Sequence, residues 1–290
     1  MFVRQIFHEA PDHKREDGHI VFSHREGYAG YMSEYHLQRH SDRLKSIQPK
    51  GKAALIYVVG VGEHHSNQRI YPKLSVPNAL IPIKSQHAIF THKIAYTIGN
   101  ISDIRYNSNT CASGMYALHE AQMLLNNGYD EVIVYGEEWV ESVEIELFRQ
   151  LGLGDMPLGD AFAYVVLTNE PTDMEISETA VGFTYDNHPM KFNSAGYQKV
   201  LHNVPKRVDI FKPHFSGNPQ SDIEEIDALQ HMGIDYGTLV SYKQRIGHTQ
   251  GVSALIEMAM LYDEKEFGTA LLMASGMGGF YGSAVLTKRA

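Results

Sequence analysis

The single cysteine of this 290-residue chain sits in Asn109-Thr110-Cys111-Ala112-Ser113-Gly114, where an extended segment gives way to a helix. Ile101 to Asn109 reads as a strand, and Gly114, Ala117, Leu118, Ala121, Leu124 and Leu125 recur at helical spacing. A thiol at a helix N-terminus meets unpaired N–H groups and the positive end of the helix dipole. Both favour the thiolate, so the position predicts a lowered pKa and the chemistry of a nucleophile. A free cysteine is also a good buried packing residue, and position alone leaves both readings open. Two other places carry chemistry. His214 ends the stretch Asp209-Ile210-Phe211-Lys212-Pro213-His214, directly after an apolar strand, which suggests a site at a sheet end. Gly276-Met277-Gly278-Gly279 is a loop whose backbone N–H groups can approach a ligand closely.

These residues need elements to hold them, and the chain supplies the elements twice. A shift of 137 carries Ser113-Gly114-Met115-Tyr116-Ala117-Leu118-His119-Glu120 onto Gln250-Gly251-Val252-Ser253-Ala254-Leu255-Ile256-Glu257, matching Gly, Ala, Leu and Glu. Each copy then runs through a polar turn into an apolar strand, Val132 to Gly136 and Ala270 to Ala274. The same shift sets Cys111 on His248. Related by a pseudo-twofold axis, the two helix starts would bring thiol and imidazole into one pocket. The expected class is α/β, with residues 1–170 as a first half and 171–290 as a second.

Further elements follow from pattern. Ala53 to Gly60 is a continuous apolar run of the kind a buried parallel strand needs. A helix is expected from about Ile83 to Ile98, stopped at Gly99-Asn100, and strands at Gly159 to Leu167, Ala180 to Thr184 and Ser283 to Thr287. Ser33 to Ile47 reads as a helix whose Arg39, Arg43 and Lys45 form a solvated basic face. Residues 1–32 read as irregular apart from His19 to Phe22, and Gly136 to Gly159 reads as a long connection.

Composition narrows the function. Hydrophobic residues at 43% and charged residues at 20% are ordinary for a globular protein, and no apolar run reaches the ~20 residues of a membrane span. A net charge of −9 argues against general nucleic-acid binding. One cysteine cannot close an internal disulfide, and the N-terminus lacks a signal-peptide core, so a cytoplasmic protein is expected.

Taken together, the motifs resemble the beta-ketoacyl-ACP synthases of the thiolase-like superfamily. Asn109 to Gly114 is similar to that family's TACASG motif. His214-Phe215-Ser216-Gly217-Asn218-Pro219, with Asp222 and Glu225, resembles HGTGTPxGDxxE. Lys243-Gln244-Arg245-Ile246-Gly247-His248-Thr249 resembles KSNIGHT, Gly276 to Gly279 resembles GFGG, and Gly159-Asp160-Ala161 stands where the family has GEGA. The resemblance implies a layered α-β-α-β-α fold of two duplicated halves. It also implies an elongating Cys-His-His acyltransferase, with Cys111 as nucleophile, His214 and His248 as its partners and Lys243 balancing their charge. By the same analogy Cys111 and Met277, with Gly278 beside it, would form the oxyanion hole and acyl pocket, and Ser216 and Asn218 would contact pantetheine. No metal or bound cofactor is implied; the phosphopantetheine arrives on an acyl carrier protein. Acyl and malonyl thioesters are the implied substrates, in fatty-acid or polyketide elongation. A homodimer is expected, or a heterodimer with another ketosynthase, with Asn78 to Ser85 reaching the partner's acyl tunnel.

The sequence departs from the family in places. Met277 replaces the gating phenylalanine, Ser216-Gly217-Asn218 replaces TGT, the segment ahead of Cys111 is shorter than usual, and the family's first strand is not recognisable. Degradative thiolases need a second cysteine, and initiating synthases pair cysteine with histidine and asparagine. The non-enzymatic alternative is a chain-length-factor-like partner subunit. Without the resemblance, the reading is an unrelated Cys/His thioester hydrolase.

Overall fold

The computed structural model describes residues 1–25, 27, 28, 30–60, 87–150, 152, 156–185 and 192–289. Among these, the first half contains β1 (Phe2–Glu9), the short pair β2 (His13–Lys14) and β3 (Ile20–Val21), α1 (Met32–Arg39), α2 (Ser41–Lys45) and β4 (Ala53–Val58). It continues with α3 (His87–Ile98), β5 (Ile101–Asn107), α4 (Ser113–Asn126), β6 (Glu131–Glu138), α5 (Ser142–Gln150) and β7 (Ala161–Thr168). The second half contains β8 (Met174–Phe183), α6 (Ser194–Gln198), β9 (Arg207–Lys212), α7 (Pro219–His231) and β10 (Asp235–Leu239). It ends with α8 (Lys243–Ile246), α9 (Ser253–Glu264), β11 (Thr269–Gly276) and β12 (Phe280–Lys288).

Ten strands form one sheet in the order β10-β9-β11-β12-β8-β1-β7-β6-β4-β5. Followed outward from the middle, β1-β7-β6-β4-β5 and β8-β12-β11-β9-β10 are the same arrangement. In each, the outer three strands run parallel and the inner two join antiparallel. The halves meet through a single register pair, Phe2 with Glu175. β4, β6 and β7 are buried at every residue, because helices cover both faces and no solvated face calls for alternation.

Three apolar clusters define five layers. Between the half-sheets, α4 and α9 pack together, with Leu118, Ala121, Leu255 and Met258 meeting Ile56, Val134, Ile176 and Leu272. A Cβ on Gly114 would lie 2.9 Å from that of Ala254, so the two helices touch near their starts. On the outer face of the first half, Phe22, Met32, Leu44 and Ile94 cover β4, β6 and β7. On the outer face of the second, Tyr197, Val200, Ala228 and Leu229 cover β9, β11 and β12.

The fold corrects several sequence expectations. The missing first strand is β1, an eight-residue strand whose side chains are mostly half-buried. Ser33 to Ile47 is two helices broken at His40, and Arg39 and Arg43 are not a free solvated face: Arg39 forks onto Glu9, and Arg43 lies 3.9 Å over the Phe7 ring. The connection from Gly136 to Gly159 contains α5. The repeat is real but its shift differs. Thr110 and Gln250 each carry a left-handed φ, +51° and +47°, in a tight turn leading into Ser113 of α4 and Ser253 of α9. The structural shift is therefore 140, and Cys111 corresponds to Gly251, not His248. The matched Gly, Ala and Leu were a helix-packing pattern displaced by three residues. Ile83 to Gln86 of the expected helix, and Asn78 to Ser85, lie outside the described residues.

Candidate active site

Three chain segments converge on Cys111. The cysteine lies in the turn Thr110–Ala112 and is 7% exposed. Ser113 fastens this turn, accepting from the Asn109 N–H at 2.7 Å and donating to the Thr110 carbonyl at 2.6 Å. Gly276 closes it from above. A Cβ there would stand 2.4 Å from Thr110 Oγ1 and 2.5 Å from the Asn109 carbonyl, so only glycine lets the Met277 loop approach. Gly278 and Gly279 follow at φ +94° and +85°, a backbone that side chains resist. Thr110 Oγ1 donates to the Met277 carbonyl at 3.3 Å, tying the loop to the cysteine turn.

His214 and His248 are 2% exposed and meet edge to face, with ring centroids 5.2 Å apart. Each ring is oriented through Nδ1. Lys243 Nζ lies 3.4 Å from Nδ1 of His214 and also donates to the carbonyls of His214 and, at 3.1 Å, Phe215. A lysine ammonium can only donate, so Nδ1 of His214 accepts and the ring proton is left on Nε2. Ser253 Oγ lies 3.3 Å from Nδ1 of His248 and 3.0 Å from Thr249 Oγ1. Donation by Ser253 leaves that ring proton on Nε2 too. The loop after His214 is held by Glu225, whose carboxylate accepts the N–H groups of His214 and Phe215 at 2.7 and 3.1 Å. The His248 N–H donates to the Pro157 carbonyl at 2.6 Å, and a Cβ on Gly159 would strike the Ile246 carbonyl. The segment around Gly159-Asp160-Ala161 thus braces His248, with Asp160 anchored by Arg25 and the Val140 N–H.

Burial governs the ionisation. The Cys111 thiol is pushed up to about 12, chiefly by burial, while Lys243 pulls it down and Glu138 pushes it further up. The lowered pKa expected from the helix start is not found: desolvation outweighs the dipole when the thiol leaves water. Both imidazoles fall well below the usual histidine range, first by burial and then by the nearby Lys243 charge. Lys243 is itself brought down to about 8 by burial, and Glu225 is raised to about 7. At neutral pH the site therefore holds a thiol, two neutral imidazoles and a cationic lysine.

Cys111, His214, His248, Ser216 and Met277 line one cavity, joined by Phe148, Phe192 and Ser275. It encloses about 10 Å³, the room of a single water. Sequence reasoning missed Phe148, Phe192 and Ser275, which come from α5, the segment before α6 and β11, and no local motif marks them. Asn218 is not aimed at a ligand through its oxygen: Oδ1 caps α7, accepting from Gln220 and Ser221. Ser216 is buried and receives the Asn218 N–H. A larger concavity, about 1200 Å³, lies away from Cys111 along α3 and the edge strand β5, bordered by Tyr96 and Tyr106.

A second cluster gathers near α1, where ligand atoms of Glu9, His36 and His40 lie within 4.8 Å of one another. Glu9 and His36 are already engaged. Trp139 Nε1 donates to Nε2 of His36, which places the ring proton on Nδ1, and Arg39 forks onto Glu9. His40 Nε2 stands 2.9 Å from Glu9 Oε2, so the cluster is drawn together around that carboxylate. No helix of the described residues is long and apolar enough to cross a membrane.

Residues 188–262 match the family model for the beta-ketoacyl synthase C-terminal domain. No curated protein matches the sequence. Several solved structures share the fold. The ketosynthase from module 6 of the bacillaene synthase of Bacillus subtilis 168 aligns with TM-score 0.71 and 12% identity over 89% of this chain and 59% of its own. This chain therefore spans less than two thirds of that one. The ishigamide ketosynthase/chain length factor aligns with TM-score 0.68 and 16% identity, over 82% and 76%. AntDE:AntF, a type II PKS acyl carrier protein in complex with its ketosynthase, aligns with TM-score 0.74 and 15% identity, over 98% and 92%. The chain is thus similar in fold to ketosynthases, and its residues 188–262 resemble the C-terminal domain of beta-ketoacyl synthases.

Proposed function

We propose that the protein is a beta-ketoacyl synthase that condenses a Cys111-bound acyl group with a malonyl thioester on an acyl carrier protein. The observation that carries this reading is the single cavity shared by Cys111, His214 and His248; with Nδ1 of each ring accepting from Lys243 or Ser253, each imidazole keeps its hydrogen on Nε2. The thiol loses its proton only as a thioester arrives, and that proton goes to the departing carrier sulfur, because both imidazoles already carry hydrogen on Nε2. Sulfur attack forms a tetrahedral oxyanion, which the Cys111 and Met277 N–H groups would hold. The carrier thiol then leaves with a proton, giving acyl-Cys111. In the second step the malonyl C–CO₂⁻ bond breaks, and its electron pair passes into an enolate whose oxygen takes two Nε2–H hydrogen bonds. The enolate carbon attacks the acyl carbonyl, the C–S bond to Cys111 breaks, and the thiolate regains a proton. Ser216 would receive the pantetheine arm; the Asn218 oxygen is committed to its cap.

A second reading is favoured by one specific observation. Among the described residues, the cavity beside Cys111 is small, about 10 Å³. A non-catalytic subunit partnering a full ketosynthase, as in a chain-length-factor pair, would need no larger one. Dimer formation belongs to both readings: β5 ends the sheet with Tyr106 47% and nearby Tyr96 89% exposed, a suitable face for isologous pairing. Intact-protein mass after incubation with acyl-carrier thioesters separates the readings. The synthase gains one acyl mass, absent in Cys111→Ala. A chain that stays unmodified alone and only raises the output of an added ketosynthase is the partner subunit.

A further inference from the structure

One buried charged pair has no part in the chemistry above. Lys212 is 1% exposed and Glu257 fully buried, and their side chains meet as an ion pair. Among the described residues neither makes a hydrogen bond to another group; burial pulls the Lys212 ammonium well below its usual range, with Lys243 adding to that and Glu225 opposing it. Their positions give the arrangement meaning. Lys212 ends β9, pairs through its backbone with Leu272 of β11, and stands two residues before His214. Glu257 lies four residues after Ser253 on α9, hence on the same helix face as the hydroxyl that orients His248.

We propose that Lys212 and Glu257 are positioning residues of the condensation site, bolting the strand that carries His214 to the helix face that holds His248. The inference rests on the synthase reading for its kinetic consequence, though not for its geometry. Apolar packing alone lets a strand end slide along a helix; a buried ion pair fixes one point of contact. Its charge acts as well, since Lys212 stands with Lys243 among the cations that disfavour a protonated His214 and His248. The other charged or titratable groups around the two rings are Glu225 and Asp222 from α7 and its loop, Cys111 from its turn, and Glu138 from β6 behind the thiol. Among the causes acting on the rings, both lysines push the same way and no acid is opposed to them.

Three variants test the pair. Lys212→Met leaves Glu257 charged and alone and is expected to fold poorly. Lys212→Met with Glu257→Leu removes both charges at similar volume and is expected to fold. Lys212→Glu with Glu257→Lys restores the bolt with its polarity reversed. The paired apolar variant should keep acyl loading on Cys111 while malonyl decarboxylation falls at least tenfold, with kcat rather than KM affected. Removing a cation raises the imidazole pKa, so the acid limb of the pH profile moves to higher pH. The reversed pair should recover most of the rate lost to slack geometry yet keep the displaced acid limb. Imidazole titration by NMR reads the same displacement in the resting protein. A paired apolar variant with wild-type rate, pH profile and imidazole titration overturns the proposal. A wild-type protein that never decarboxylates malonyl thioesters overturns the synthase reading instead, and the imidazole titrations then decide the pair on their own.

Discussion

The ionisation of Cys111 yields the sharpest quantitative expectation, because the chain has no other thiol to confuse the signal. An ordinary cysteine titrates near ~8.5 and this one is pushed up to about 12, so its thiolate population at pH 7.5 is lower by on the order of 10³-fold. That factor corresponds to about 4 kcal/mol. Alkylation by iodoacetamide, followed by intact mass, should therefore run at least ~10³-fold slower at pH 7.5 than for a free cysteine, since only the thiolate reacts. The rate should climb with pH, but by less than tenfold per unit once Lys243, held at about 8, starts to lose the charge that favours the thiolate. Lys243→Met should slow alkylation further at pH 7. Loading from an acyl thioester should show none of this slope between pH 6 and 8, because the thiol proton leaves with the carrier sulfur in the same step. An alkylation curve that levels off below pH 9, or a rate at pH 7.5 within tenfold of free cysteine, would refute the reasoning that burial outweighs the helix start.

Three further outcomes are expected. His214→Ala and His248→Ala should each load acyl groups on Cys111 yet lose carbon dioxide release from malonyl carrier by roughly 10²-fold or more, the scale of one lost oxyanion donor; failure at loading with normal decarboxylation would invert their roles. Gly276→Ala drives a methyl against Thr110 and the Asn109 carbonyl. It should cost about 1–3 kcal/mol of stability in a denaturant titration, and it should impair loading as the Met277 loop is pushed off the cysteine turn. Sedimentation across a dilution series should show an obligate dimer through the β5 edge, with activity falling on dissociation; a fully active monomer contradicts it.

What the sequence disclosed follows from how far apart the interacting residues lie. The Cys111 turn, the Gly247-His248 turn and the Gly276 to Gly279 loop are local devices, and their residue types announce them. The apolar runs of β4, β6 and β7 are legible for a similar reason: a strand covered on both faces has no polar side to obscure it. β1 was lost because Arg4, Gln5, His8 and Glu9 stand among its apolar residues, and each of them finds a partner only in the folded chain, Arg4 on Glu131 and Gln5 on Tyr164. α5 was lost within what read as a connection, although it carries the Phe148 ring to within 6.0 Å of His248.

The error in the repeat shift is the most instructive of these. Sequence matching aligned the small residues on which α4 and α9 pack, but the functional repeat is the strained turn before each helix, and strain leaves no fixed letter: Thr110 and Gln250 share a left-handed backbone and nothing else. Moving the shift from 137 to 140 sets Gly251 opposite Cys111. The second turn thus lacks a nucleophile and has no room for a side chain: a Cβ on Gly251 would press within 2.5 Å of the Gly60 backbone nitrogen. The two halves repeat as scaffold and diverge as chemistry. One turn presents the thiol, while the other lets its helix hold His248 through Ser253, which is the counterpart of the Ser113 that fastens the cysteine turn. The same serine position serves both halves, once on backbone and once on the His248 ring. Ser253→Ala should therefore spare the fold more than Ser113→Ala does, while releasing the Nδ1 of His248 and slowing decarboxylation ahead of loading.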